Sequence, residues 1–123
     1  MKNYKEKSKT KFKIRIYNWT LKLIRAIDGL SKDSSSQITA HQILRSGTSI
    51  GANYIEAQAA SSRKDFGNFL HHALKSANES KFWLCLLRDS SKMNRQSAEE
   101  LLNELTEIAN ILGASLLTVK SRK

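Results

Sequence analysis

The feature that most constrains this chain is the absence of proline from all 123 residues, with only five glycines among them. Proline breaks helices and is kept out of central strands, and glycine weakens both. A chain with so little punctuation runs long helices, and its apolar residues recur in steps of three and four rather than two. Four helical segments follow from that spacing. The first covers about Thr10 to Leu30, with Ile16, Trp19, Leu23, Ile27 and Leu30 on one stripe. Gly29 and the polar run "SKDSSS" at Ser31 to Ser36 mark the connector after it. The second covers about Ser36 to Ala60 and is introduced by Ser34 with Gln37 three residues on, a capping-box spacing. The third starts at Ser62, with Asp65 at the corresponding place, and reaches about Asp89. The fourth starts near Ser97, with Glu100 three residues later, and carries Leu101, Leu105, Ile108, Leu112 and Leu116 to about Val119. Its acidic first turn and basic tail suit the helix dipole.

Short connectors between helices of about 20 to 28 residues place consecutive helices antiparallel. The expected fold is all-α: an antiparallel up-down four-helix bundle over residues 10–120. A basic flexible tail is expected at 1–9 and a short basic one at 121–123. A chain of this length buries enough surface to need no disulfide or metal. Cys85 is the single cysteine, so no internal disulfide forms and nothing points to an oxidising compartment. The longest apolar run is Phe82 to Leu87, too short to span a membrane. No signal peptide is readable at the basic start, and the expected location is cytoplasmic.

Charge is strongly one-sided, at a formal net +10. Residues 1–25 hold nine Lys/Arg against Glu6 alone, whereas residues 26–90 hold seven against six. The last four residues add Lys120, Arg122 and Lys123. Positive charge therefore sits at the two ends of the chain. Such ends are either solvated tails or an electrostatic footprint for nucleic acid. The candidate phosphate contacts are Lys2, Lys5, Lys7, Lys9, Lys11, Lys13, Arg15, Lys120, Arg122 and Lys123.

The stretch "RSGTSIGAN", Arg45 to Asn53, superficially resembles a phosphate-binding loop. Such a loop needs a buried strand before it and a Lys-Ser/Thr ending to reach a phosphate. Here the preceding "SSQITAHQIL" is helical in period, and no lysine follows the glycines. At about 100° per residue, Ile43, Ile50, Tyr54 and Ala57 share a stripe, with Gly47 and Gly51 beside it one turn apart. Two glycines on a helix face let another backbone approach, and each costs about 1 kcal/mol of propensity that packing has to offset. Ala73, Ser76, Ala77 and Ser80 on the third helix have matching spacing. Gly47, Gly51, Ala73 and Ala77 are therefore expected at a close helix–helix contact.

The second helix also carries a polar stripe: Gln42, Arg45, Ser49, Asn53 and Glu56. Leu44, Thr48, Ala52, Ile55 and Ala59 make the rest of its circumference apolar or small, which predicts burial on several sides. The stripe either faces solvent or, as the apolar circumference favours, forms a hydrogen-bonded seam within the bundle or between subunits, with Glu79 as partner of Arg45 or Asn53. Catalysis requires convergent titratable groups. His71 and His72 are adjacent and point apart on a helix, and His41 has no ligand at i+4. No metal, cofactor or catalytic set is expected. Cys85 is expected in the apolar interior; Phe82 and Trp83 are of a type that stacks bases, but on the apolar face of a long helix they are expected in the core.

Four segments taken jointly, Gln42 to Gln58, Ser62 to Phe66, Ala73 to Leu87 and Glu104 to Leu112, carry a resemblance. They read "QILRSGTSIGANYIEAQ", "SRKDF", "ALKSANESKFWLCLL" and "ELTEIANIL". The chain resembles the four-helix-bundle family whose best-known members are encoded within intervening sequences of bacterial large-subunit ribosomal RNA genes. That resemblance covers the chain from about residue 14 onward. It implies an antiparallel four-helix bundle assembled as a cyclic homo-oligomer, a barrel-like homopentamer. A related group, the accessory proteins of diversity-generating retroelements, is similar in size and charge, and its pentameric barrels bind nucleic acid and a reverse transcriptase. Two positions depart from the family pattern. Leu30-Ser31-Lys32-Asp33 replaces "LPKD", which loosens a connector, and Ser76 stands where many relatives have Glu. The match to the ribosomal-insert branch is the closer of the two.

The expected function is thus a non-enzymatic oligomeric module that binds RNA or DNA through its basic ends. The alternative is a structural or protein-partner scaffold whose charged ends only keep it in solution. Neither a small-molecule substrate nor a membrane is expected as partner.

Overall fold

A computed structural model describes residues 4–121, with side chains from residue 7 on. Among them are four α-helices and no strand: α1 (Tyr4–Asp28), α2 (Ser34–Gln58), α3 (Arg63–Asp89) and α4 (Arg95–Ser121). The helix at the N-terminal side begins six residues earlier than its apolar stripe predicts, so residues 4–9, expected as tail, are helical. The reason is local: Lys and Glu are good helix formers, and nothing between Tyr4 and Thr10 breaks a helix.

The caps explain where the other helices start. Asp33, not Ser34, caps α2, accepting from the backbone N–H of Ser36 at 3.3 Å. Its carboxylate also accepts from the hydroxyls of Ser31, Ser35 and Ser36 and from Lys92 Nζ. A carboxylate has four lone-pair sites where a hydroxyl has two, so it gathers the donors that the serine run supplies. Those bonds, Ser31's first, hold the Asp33 carboxyl well below the usual carboxylate range. Ser62 caps α3 as its sequence predicts, accepting from Asp65 N–H at 3.1 Å. In α4 the cap is Asn94, three residues before the expected Ser97, whose own N–H it accepts at 3.1 Å. The turn before it passes through Ser91 at φ 61°, and the N–H groups of Lys92 and Met93 both return to the Leu87 carbonyl.

The helices touch in the cyclic order α1–α2–α3–α4–α1. Their apolar stripes meet in one core that includes Ile16, Trp19, Leu23, Ile43, Ile50, Leu70, Leu84 and the α4 series from Leu101 to Leu116. Trp19 is the largest of the fully buried side chains, and its indole N–H donates to the Leu101 carbonyl at 2.9 Å. Ile27 and Leu30, assigned to the first stripe, are half-buried against this core. The α2–α3 pair is the most intimate, and serines make that approach possible. Ser46 and Ser80 are buried and share a hydrogen bond at 2.8 Å, and Ser76 donates to Ser49 at 3.0 Å. Small hydroxyls allow two backbones to close up while satisfying their own polar atoms.

The glycines serve a different neighbour from the one expected. A Cβ on Gly47 would collide with Leu23 Cδ2 and touch the Trp19 ring, and one on Gly51 would lie 3.2 Å from Ile16 Cγ2. Both positions thus make room for bulky α1 side chains. Ala73 and Ala77, fully buried, lie on α3, which the glycines do not face. The expected contact of Gly47 and Gly51 with Ala73 and Ala77 is therefore replaced by one with the large α1 side chains Ile16, Trp19 and Leu23.

Candidate nucleic-acid interface

The helix order decides where the basic ends go. Lys9 lines one recess together with Ala57, Gln58 and Ala60 from the end of α2, Ser62, Arg63 and Phe66 from the start of α3, and Thr118 and Val119 from α4. The opening turns of α1 and the closing turns of α4 therefore share one end of the molecule. Lys92 pairs with Asp33 across the connectors at the other end, at 3.0 Å. Lys7, Lys9, Lys11, Lys13 and Lys120 are all exposed. Lys5 lies on α1, its side chain outside the described ones; Lys2, Arg122 and Lys123 lie outside the described residues.

Arg15 behaves differently from its lysine neighbours. Its guanidinium meets Glu104 through two bonds of 2.7 and 2.8 Å and reaches Glu107 at 3.0 Å. This fork on α4 satisfies the cation, which Glu104 first and Glu107 next hold above the ordinary arginine value. Arg15 fastens α1 to α4 and is not a free phosphate contact. Sequence spacing gave no signal of it, because the partners stand 89 residues apart.

The polar stripe of α2 is partly bonded to α3 and partly solvent-facing, with Arg45 and Glu56 exposed; Leu44, Thr48, Ala52, Ile55 and Ala59, expected to be covered, are exposed as well. Arg45 donates to Gln42 Oε1 at 2.9 Å and pairs with Glu79 Oε2. The same carboxylate oxygen accepts from the Trp83 indole at 2.8 Å. That indole first, and Arg45 after it, hold the Glu79 carboxyl below its ordinary value. Asn53 donates to Ser49, backbone and side chain, at 2.9 and 2.8 Å. Glu79 thus partners Arg45, while Asn53 closes on its own helix; Glu56 is exposed.

Two expected interior residues are placed otherwise. Phe82 is 57% exposed, and Cys85 is half-buried. Phe82 follows the core residues Ala77 and Ser80 by steps that carry it to the far side of the helix, which a continuous apolar run conceals. Trp83 is half-buried and packs against the core. No group of three metal-ligating side chains occurs among the described residues, and no described helix is long and apolar enough to cross a membrane.

The carboxylate–cation pairs give the stability a definite pH dependence. Arg15 keeps Glu104 below its ordinary value of 4.5. A carboxyl depressed on folding stabilises above its unfolded value, and that contribution is lost as pH falls through the folded one. The urea midpoint is expected to hold steady from about pH 7 to about pH 5 and to decline below that. Glu104→Gln lowers the midpoint at neutral pH and flattens the acid decline; equal slopes in both proteins would refute the assignment.

Against this geometry the comparisons with known proteins fall into place. A crystal structure at 1.70 Å resolution, of a protein of unknown function from the S23 ribosomal protein family of Bacteroides thetaiotaomicron VPI-5482, superposes with a TM-score of 0.80. The two share 38% sequence identity over 85% of this chain and 97% of that one. No curated protein matches. The family model for the 23S rRNA-intervening sequence protein matches residues 10–114. The chain belongs to the 23S rRNA-intervening sequence protein family.

Proposed function

We propose that this protein is a non-enzymatic, self-associating up-down helical bundle that binds RNA or DNA through a single basic pole. The observation that carries the reading is the shared recess where Lys9 meets Thr118 and Val119. It sets the start of α1, where Lys7 and Lys9 are exposed, beside the end of α4, where Lys120 is exposed. Exposed lysines at one pole act as a field rather than as separate charges, and phosphate backbones respond to such fields without base recognition. Residues beyond the described ones, Lys2, Arg122 and Lys123, extend the same two segments.

Self-association is supported by an apolar groove between α1 and α2. It is lined by Ile14, Tyr17, Thr20, Thr48, Ala52 and Ile55, and Ile14, Tyr17 and Ile55 are 51%, 64% and 54% exposed. Apolar area of this kind on a polar protein marks an interface. Closing copies into a ring, as the family resemblance implies, sets several basic poles side by side and multiplies weak phosphate contacts. Light scattering should give a particle several times the 13.9 kDa chain mass; a monomer at micromolar concentration removes this part of the reading.

Salt titration tests the nucleic-acid part. With about five phosphates neutralised on duplex DNA, log affinity should fall with log salt at a slope of about −4 to −5. Replacing Lys7, Lys9, Lys11 and Lys13 by Gln should remove about 3 to 4 from that slope. Arg15→Gln should leave it unchanged, because that cation is already paired. Absence of binding in low salt would leave the scaffold reading, which the apolar groove alone supports.

A further inference from the structure

The seam and the outward-facing aromatic of α3 are not used by the basic pole, and they adjoin one another. Between α2 and α3 lies an open recess of about 660 Å³, lined by Ser49, Asn53, His72, Lys75, Ser76, Asn78 and Glu79. Its lining combines the hydroxyls and amides of Ser49, Asn53, Ser76 and Asn78 with Lys75, His72 and the Glu79 carboxylate. Asn53 and Ser76 both donate to Ser49, while hydroxyls, amides and a carboxylate together offer the donors and acceptors that base edges and sugars use. Lys75 and His72 are exposed at its margin. Glu79 joins the recess to Trp83 through the 2.8 Å indole bond. The Trp83 and Phe82 rings then meet at 5.0 Å with their planes 70° apart. Phe82 lies on the side of α3 away from the core, with more than half of its surface exposed. Phe82 and Lys75 share one stripe of α3, about two turns apart. An exposed aromatic in line with a cation and polar side chains is the combination that takes unpaired bases, since any base stacks and the phosphate follows the lysine.

We infer that the outer face of α3 is a second nucleic-acid subsite specific for single strands, with a base stacked on Phe82, its neighbour's edge in the α2–α3 recess and a phosphate on Lys75. Duplexes do not enter it, because their bases are already stacked and paired. The inference rests on the nucleic-acid reading proposed above but uses different residues from the basic pole. It also accounts for Phe82, whose exposure removes it from any part in the core.

Trp83 supplies the readout. Trp19 is 1% exposed and sealed from ligand, so quenching on addition of oligonucleotide reports Trp83. The probes are oligouridine of about 12 nucleotides and a duplex of equal length. Oligouridine should quench the fluorescence and the duplex should bind without quenching. Phe82→Ala should weaken oligouridine binding by about 5- to 150-fold, as loss of one stacked base does, and leave the duplex unaffected. Lys75→Gln should reduce the single-strand salt slope by about 0.7. Because Phe82 is exposed, far-UV circular dichroism of the variant should match the parent. Duplex binding with no effect of Phe82→Ala on oligouridine overturns the inference and leaves the basic pole standing. Failure to bind either probe removes both. A change in particle mass on Phe82→Ala, with oligouridine affinity intact, shows the face to be a contact between copies and also overturns it.

Discussion

Trp19→Ala is expected to lower the unfolding free energy by about 3–5 kcal/mol, the range for removing a large aromatic from a well-packed core. Trp19 is the largest fully buried side chain, and it stands where three helices converge. Its ring packs against Gly47 of α2, with two ring carbons 3.5 Å from where a Cβ would be, and its indole N–H reaches the Leu101 carbonyl of α4. The substitution removes the packing and the bond that ties α1 to α4 together. Trp19→Phe separates the two contributions: it keeps most of the apolar volume and loses the hydrogen bond, at about 1 kcal/mol for the bond itself. Urea unfolding followed by circular dichroism, at one fixed protein concentration because self-association shifts apparent stability, measures both. A loss below about 1 kcal/mol for the alanine variant would show that the site refills, contrary to the packing described.

Gly47→Leu is the second large effect, and it acts in the opposite sense, by crowding. Even one carbon at this position collides with Leu23 Cδ2, the end of a side chain that is itself fully buried. Overpacking of this kind costs about 1–3 kcal/mol, and the gain of about 1 kcal/mol in helix propensity on replacing glycine only partly offsets it. Leu23→Ala alone leaves a cavity and costs about 2–5 kcal/mol. Combining the two moves the missing volume from one helix to the other, so the double variant should be more stable than the sum of the single losses predicts, by about 0.5–3 kcal/mol. Strict additivity would mean that Gly47 does not face α1. The same cycle with Ala77 in place of Leu23 should show little coupling, because the glycine does not face α3.

These two residues also show how far a sequence reading reaches. The spacing of Ile43, Ile50, Tyr54 and Ala57 identified the buried stripe of α2 correctly, and every residue of the α4 series from Leu101 to Leu116 is buried. The Ser62 cap was visible because a cap bonds within its own first turn. Spacing favours Ser34 over Asp33 as the cap of α2, because what distinguishes them is the number of donors the fold brings to the carboxylate, and one of these, Lys92, comes from 59 residues away. The outward side of Phe82 is hidden in the sequence because "FWLCLL" is apolar throughout and periodicity has no contrast in such a run. In the polar seam, the sequence named the members, and the structure chose Arg45 over Asn53 as the partner of Glu79.

What the sequence determined alone is therefore what acts along a helix or over the whole chain. Four helices, one stripe of each turned inward, no membrane-spanning helix among the described residues, and positive charge at both ends all follow from local spacing and composition. The tertiary structure decided which neighbour each flank meets. It turned Gly47 and Gly51 toward α1, held Arg15 against Glu104, faced Phe82 outward, and brought the start of α1 beside the end of α4. The physical reason is that a period of 3.6 residues fixes which side chains share a face, whereas the choice of the opposing face depends on volumes and charges that only folding brings together.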